Sequence, residues 1–263
     1  MIFAGIDIGS LTSKCVIIDE NKILAYEISR VTPKIEDVAE MVYRNALMKA
    51  NLSEKDVKVV IATGYGRNKV KFAKDRVTEI TCHALGAKYL IPTTRTVIDI
   101  GGQDSKVIAV SNNVESFVMN DKCAAGTGRF LEVMASALGV EVSELGELDK
   151  KAEKSVSISS TCTVFAESEV ISYLASGEKV ENIVAGVHNA IASRIAAMAK
   201  RVGVKPDVVL TGGVAKNSGV KRALEKELGL EIKVPEEPQI IGALGAALIA
   251  KVRYADSRGK SEG

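Results

Sequence analysis

Two short stretches of the chain carry the same set of reactive groups. IDIGSLTSK begins at Ile6 and IDIGGQDSK at Ile98; they agree at six of nine positions and lie 92 residues apart. Each puts an aspartate at the end of an apolar, β-branched run, then a glycine turn, then a hydroxyl residue and a lysine. A tight turn between two strands exposes successive backbone N–H groups, and glycine lets an anion approach closely. In the first copy Gly9, Ser10, Thr12 and Ser13 supply donors, and Lys14 adds a compact positive charge that suits phosphate. In the second copy the donors are Gly101, Gly102, Gln103 and Ser105. Two such turns facing each other would grip one polyphosphate from both sides. Asp7 and Asp99 would then meet near the gap, where like charges call for a cation, and Mg2+ with its waters fits.

A third stretch, VVLTGGVAKN at 208–217, is a buried-strand pattern ending in Thr-Gly-Gly before a helix start. Such a turn can lie flat against a nucleoside. There is no Walker A loop: GKS at 259–261 has Tyr254 where the earlier glycine belongs. The three-part set resembles the superfamily of actin, the heat-shock chaperone ATPases and the sugar kinases. That resemblance implies a duplicated ribonuclease H-like α/β fold, two lobes closing on ATP in a nucleotide cleft. It puts Asp7, Gly9, Ser10, Lys14, Asp99, Gly101, Gly102 and Gln103 at the phosphates and magnesium, and Gly212, Gly213 and Asn217 at the nucleoside. The small residues of GALGAAL, Gly242, Ala243, Gly245 and Ala246, would permit a close helix crossing at an interlobe hinge.

The cysteines give a second kind of chemistry. Cys123, in NDKCAAGTGRFLEVM, stands immediately before a Gly-rich helix start, and Cys162, in SSTCTVFAESEV, precedes another helix. A helix N-terminus favours a thiolate and the sulfurs of an anionic iron–sulfur cluster. Two thiolates do not complete the four-thiolate shell of a cubane cluster, but a two-fold dimer would supply four. The alternative is two small buried residues near turns. Cys15 in a strand and the Cys82–His83 pair read as packing, and His188 in an Ala-rich helix as structural or exposed.

NDKCAAGTGRF, SSTCTVFAESEV, TGYGRN, TCHALGA and TGGVA, taken together and in order from residue 3 to 252, resemble the activator component of (R)-2-hydroxyacyl-CoA dehydratases. That family, of which the 2-hydroxyglutaryl-CoA dehydratase activators are members, is related to the ATPase subunits of benzoyl-CoA reductase. The resemblance implies a homodimer bridging one 4Fe–4S cluster through Cys123 and Cys162 of each subunit; the opening strand pattern, with no basic leader, independently leads one to expect a cytoplasmic protein. The resemblance further implies an ATPase that takes one electron from ferredoxin or flavodoxin and passes it to the dehydratase. For hydrolysis, Gln103 and Asp104 are candidates to orient the attacking water, Asp99 to act through magnesium, and Glu167 is a further candidate. Two rivals remain: a small-molecule kinase of the same superfamily, and a nucleotide-driven assembly module that needs no iron. The acceptor could instead be a benzoyl-CoA-type or other double-cluster reductase.

The elements that must position these residues follow from periodicity. Strand patterns occupy 2–8, 14–19 and 22–28, a helix 36–50, a strand 57–62 and a helix 78–89; the pattern restarts with strands at 96–101, 106–110 and 115–119. Helices follow at 125–138, 165–176 and 182–202, then a strand at 208–211, a helix at 219–228, a strand at 231–234, a last helix at 242–254 and a polar tail. The boundaries expected are residues 1–93 plus 241–263 for one lobe and 94–240 for the other. A net charge of +2 gives no pull towards nucleic acid or anionic lipid, and the longest apolar run, 240–250, is too short to span a bilayer. With two histidines and no C-x2-C spacing, zinc and most histidine-based chemistry are poorly supplied.

Overall fold

The apolar runs on either side of Gly9 pair as a hairpin, β1 (Ile2–Ile8) with β2 (Thr12–Ile18), in a register that sets Asp7 opposite Lys14. The structure is a computed structural model, and it describes residues 1–20 and 22–259. β3 (Ile23–Arg30) pairs antiparallel with β2, and β4 (Val57–Thr63) runs parallel to β1. A two-residue strand that carries no periodic signal, β5 (Asp75–Arg76), completes a sheet of order β3-β2-β1-β4-β5. Strand alternation sorts the side chains. Ile6, Ile8, Cys15 and Ile17 meet Val38, Val42 and Ala46 of α1 (Ile35–Lys49). Phe3 and Val16 lie on the other face, under α2 (Glu79–Leu90) and α8 (Ile241–Gly259), which supply Cys82, Ala243 and Ala247. The small residues of α8 thus pack within this unit, against β1 and α2. The helix runs past the expected end at 254, so 256–259 are helical; the rest of the polar tail lies outside the described residues.

The plan repeats. β6 (Thr96–Ile100) and β7 (Ser105–Val110) form a hairpin with Asp99 opposite Lys106. β8 (Val114–Asn120) lies outside β7, β9 (Val208–Thr211) runs parallel to β6, and β10 (Ile232–Lys233) parallel to β9, in the order β10-β9-β6-β7-β8. α3 (Gly128–Leu138), the single turn α4 (Leu145–Leu148), α5 (Thr163–Ala175), α6 (Val180–Val202) and α7 (Ser218–Leu228) belong to this half. Phe130, Leu131 and Met134 of α3 and Ile183, Val187, Ile191 and Ile195 of α6 pack with Ile98, Ile100, Val107 and Leu210 of the sheet. Each such side chain, fully buried, contributes about 1.5–3 kcal/mol.

Contacts divide the chain into two units, residues 1–93, 112–114 and 239–263, and residues 94–111 and 115–238. Each is an α/β lobe built on a mixed five-stranded sheet.

Candidate functional site

The repeated nonapeptide is the visible part of a larger repeat. In the first unit the Lys14 ammonium lies 3.5 Å from Asp7 Oδ2; in the second, Lys106 lies 3.2 Å from Asp99 Oδ2 and 2.5 Å from Asp104 Oδ2. Asp7, Lys14, Asp99 and Lys106 are all buried. A parallel neighbour then brings a threonine beside each aspartate, Thr63 beside Asp7 and Thr211 beside Asp99, and the Thr211 hydroxyl donates to Asp99 Oδ1 at 2.8 Å. A glycine with left-handed backbone follows each threonine: Gly64 at φ +83 and Gly212 at φ +86. A Cβ on Gly64 would collide with Asp7 Oδ1 and the Ile8 carbonyl, and one on Gly212 with the Ile100 carbonyl and Asp99 Oδ1. Each unit thus holds the same quartet of Asp, Lys, Thr and Gly. Lys106 was legible as the partner of Lys14 in the repeat; the threonines were not, because they lie far downstream in dissimilar surroundings.

This changes the roles expected of several residues. Each aspartate already has its own buried ammonium, so charge repulsion does not by itself require a cation. A carboxylate has lone pairs for more than one donor, and Mg2+ keeps most of its waters, so each aspartate taken singly is of a type that suits magnesium through its water shell. Lys14 stands behind its turn, with Nζ close to Gly9 as well as to Asp7. Ser13 and Ser105 are turned away: Ser13 shares the α1 face with Cys15, and Ser105 Oγ lies 3.9 Å from Met198 Sδ.

The two turns are built alike. The Gly9 N–H donates to the Thr12 carbonyl at 3.0 Å and the Gly101 N–H to the Asp104 carbonyl at 2.9 Å. Among the described residues no backbone acceptor takes the N–H groups of Ser10, Gly102 or Gln103. Gln103 is exposed, whereas Asp104 is half-buried in its bond to Lys106.

The carbonyls of the second turn are occupied. The Gly128 N–H donates to Gly101 O and the Arg129 N–H to Gly102 O, both at 2.8 Å. These are the first N–H groups of α3, so this helix is seated on the turn. A Cβ on Gly128 would come 3.2 Å from Gly101 O, so glycine permits the approach. That is also why α3 starts at Gly128 and not at the expected residue 125: Gly126 takes φ +82 and extended Thr127 is the N-cap. Cys123 consequently lies four residues ahead of the cap. Its loop is held by Asn120 Nδ2, which donates to the Cys123 and Ala125 carbonyls at 2.9 and 3.0 Å.

The Cys123 thiol donates to the Thr161 carbonyl at 3.5 Å, joining its loop to the residue before Cys162. Cys162 is itself the N-cap of α5. Both thiols are partly exposed, unlike Cys15 and Cys82. Burial pushes the Cys82 thiol up to about 12 and raises that of Cys15 as well. Among the described residues no group of three or more His, Cys, Asp or Glu side chains could hold a metal ion. Beside the two thiols on α5, Val164 and Phe165 are each 65% exposed. Glu167 also belongs to α5, with Cys162, and not to the turn that carries Gln103 and Asp104.

Past Gly212, residues Gly213–Lys216 form a short 3-10 turn that ends on Asn217, the N-cap of α7. Asn217 Oδ1 accepts from the N–H groups of Gly219 and Val220 at 2.9 and 3.1 Å, and Nδ2 lies 3.2 Å from His188 Nε2. Its side chain is committed to the cap, and its backbone is committed too, the N–H to Val214 O at 2.9 Å and the carbonyl to the Lys221 N–H at 3.2 Å. His188 is fully buried, not exposed.

Among the described residues no helix is long and apolar enough to cross a membrane. The chain is 52% identical over 254 residues to the (R)-2-hydroxyglutaryl-CoA dehydratase activating ATPase of Acidaminococcus fermentans, covering 95% of this chain and 97% of that one. The activator of the 2-hydroxyisocaproyl-CoA dehydratase from Clostridium difficile, solved with bound ADPNP, superposes with a TM-score of 0.93 at 48% identity, covering 99% of this chain and 98% of that one. A ROK family glucokinase from Streptomyces griseus, at 15% identity, covers 96% of this chain and all of its own with a TM-score of 0.59, a likeness of fold alone that gives the two α/β lobes the architecture of the actin-like ATPases and sugar kinases. The sequence profile of the BadF/BadG/BcrA/BcrD ATPase family matches residues 4–250, and the chain belongs to that family.

Proposed function

We propose that this protein is an ATP-dependent one-electron activator of a 2-hydroxyacyl-CoA dehydratase, acting as a homodimer in the cytoplasm. The observation that carries the reading is the seating of α3 on the second phosphate turn, because it joins a nucleotide contact to a cysteine loop through backbone alone. In this reading the turns of Gly9, Ser10 and Thr12 and of Gly101, Gly102 and Gln103 hold the nucleotide phosphates, with Lys14 behind the first. Asp7 and Asp99 orient the waters of magnesium, and Gly212 and Gly213 lie against the nucleoside. Gln103, exposed beside free N–H groups, is the candidate to orient the attacking water. Asp104 and Glu167 are weaker candidates, one paired with Lys106 and the other on α5.

Cys123 and Cys162, with the same pair from a second copy, would hold one 4Fe–4S cluster. Such a cluster supplies low-potential one-electron chemistry, with ferredoxin or flavodoxin as donor. When the phosphate turn changes its contacts, the Gly101 and Gly102 carbonyls shift the start of α3 and with it the Cys123 loop. Moving a two-state element from 1:99 to 99:1 takes about 5.5 kcal/mol, equivalent to about 240 mV for one electron. ATP achieves this only if it contacts the two states differently from ADP. The exposed Val164 and Phe165 give the thiol edge an apolar border suited to a protein partner.

Anaerobic purification tests the reading. A brown dimer that hydrolyses ATP and holds about four irons per two chains supports it; a colourless monomeric ATPase refutes the redox role. Gln103→Ala should cut ATP turnover while leaving iron content unchanged.

A further inference from the structure

His188 takes no part in the phosphate or thiol chemistry, yet it is 0% exposed and carries two ring nitrogens that need partners. Nε2 lies 3.2 Å from Asn217 Nδ2, and Nδ1 lies 3.6 Å from Asp149 Oδ1. The cap of α7 decides which end of the Asn217 amide faces the ring: Oδ1 is taken by two backbone N–H groups, so the NH2 is turned to Nε2. An NH2 only donates, so Nε2 must be the bare acceptor. The single proton of a neutral ring is then on Nδ1, which faces Asp149 Oδ1 at 3.6 Å, just beyond hydrogen-bond distance. Asp149 Oδ2 accepts from Arg222 at 2.6 Å, and Arg222 also donates to Ser218 Oγ at 3.1 Å and Gly146 O at 2.9 Å. The first turn of α7 lies against the imidazole so closely that a Cβ on Gly219 would overlap Cε1 and Nδ1. Asp149, from the turn after α4, and Arg222, from α7 and acting through Asp149, are the charged groups that face this ring.

We propose that His188 is a positioning residue for the Gly212–Lys216 turn: its neutral, Nδ1-protonated ring holds the Asn217 amide as the cap of α7 and so fixes where that turn ends. The inference rests on the reading of Gly212 and Gly213 as nucleoside contacts. The path is short, since the Asn217 N–H donates to Val214 O at 2.9 Å and the Ala215 N–H to Gly212 O at 3.3 Å. A second proton, on Nε2, would set N–H against NH2, donor against donor. The amide would have to rotate, and the bonds to Gly219 and Val220 would go with it.

The test uses the full-length protein and a fluorescent ATP analogue at neutral pH. His188→Ala should weaken binding roughly 3- to 30-fold at neutral pH, the range spanned by loss of an N-cap. His188→Gln can accept from Asn217 through Oε1 and donate to Asp149 through Nε2. It should therefore restore binding to the wild-type level. If the alanine variant does not fold, the comparison of wild type with His188→Gln decides alone. The chain has two histidines, so ring nitrogen–proton spectra, assigned by the signal lost in His188→Gln, report the tautomer without any nucleotide. An Nε2–H tautomer, unchanged binding by His188→Ala, or weakened binding by His188→Gln would each overturn the proposal. A wild type that binds no nucleotide would instead refute the nucleoside reading itself, with the tautomer still measurable.

Discussion

Replacing Lys106 with Met should be far more damaging than its position in a strand implies. Methionine nearly matches the length and volume of lysine, so packing changes little and the loss is electrostatic. The Lys106 side chain is 5% exposed and serves two carboxylates, Asp99 at 3.2 Å and Asp104 at 2.5 Å. Removing one partner of a buried ion pair costs about 3–5 kcal/mol, because the remaining charge is stranded. Two facts place this case at the lower end, about 3 kcal/mol. Thr211 still bonds one oxygen of Asp99, and the Asp104 side chain, 29% exposed, can take up water. Urea unfolding with unchanged slope would measure the loss, and amide exchange in β6 and β7 would locate it in the second unit. The control is Lys71→Met, which breaks the exposed pair with Glu36 and should cost nothing measurable. A loss under about 1 kcal/mol at Lys106, no more than an exposed pair contributes, would refute the argument that this ammonium is sealed between its carboxylates.

Gly64→Ala and Gly212→Ala should each destabilise by about 2–5 kcal/mol, from left-handed strain plus collision with an aspartate oxygen and a carbonyl, measurable as paired losses in denaturant unfolding. With native protein in its iron-free form, a thiol reagent should modify Cys123 and Cys162 and spare Cys15 and Cys82, read by peptide mass; labelling of Cys82 before unfolding would contradict its burial. The His188 ring, 3.6 Å away, and then the Arg222 guanidinium hold the Asp149 carboxyl below its ordinary value. Its contribution is therefore complete above the unfolded value of about 3.9 and lost as pH falls through the lower folded value. Asp149→Asn should flatten the fall in stability below about pH 4, and an unchanged acid limb would count against it.

Periodicity was enough to read both hairpins, because β-branched runs around glycine turns report strands directly. β1, β6 and β9 fall within a residue of expectation. The misreadings lie where tertiary contact overrode local preference. CAAGTG looks like the start of a helix, yet the carbonyls of Gly101 and Gly102 capture the N–H groups of Gly128 and Arg129 and delay α3. β5 is two residues long and exists only because β4 offers it an edge. The Ala-rich sequence of α6 hides which face is buried, so the enclosure of His188 could not be read from it. In the site, the two glycine turns and the two partly exposed cysteines were legible as motifs. The matching of Thr63–Gly64 with Thr211–Gly212 was not, since one sits in IATGYG and the other in VLTGGV at unlike distances from their aspartates. Only the parallel register reveals them as counterparts.

The seat of α3 on the second turn has a mechanical meaning that follows from amide geometry. A trans peptide group is flat, with its carbonyl and its N–H pointing in opposite directions. The Gly101 carbonyl and the Gly102 N–H share one such plate, and the Gly102 carbonyl and the Gln103 N–H share the next. Both carbonyls are hooked to the helix, and both N–H groups are free of backbone acceptors among the described residues. Any anion that tilts those N–H groups must tilt the carbonyls as well, as one end of a seesaw moves the other. The signal needs no side chain as messenger, and what its path asks of the sequence is the small size of Gly101 and Gly128.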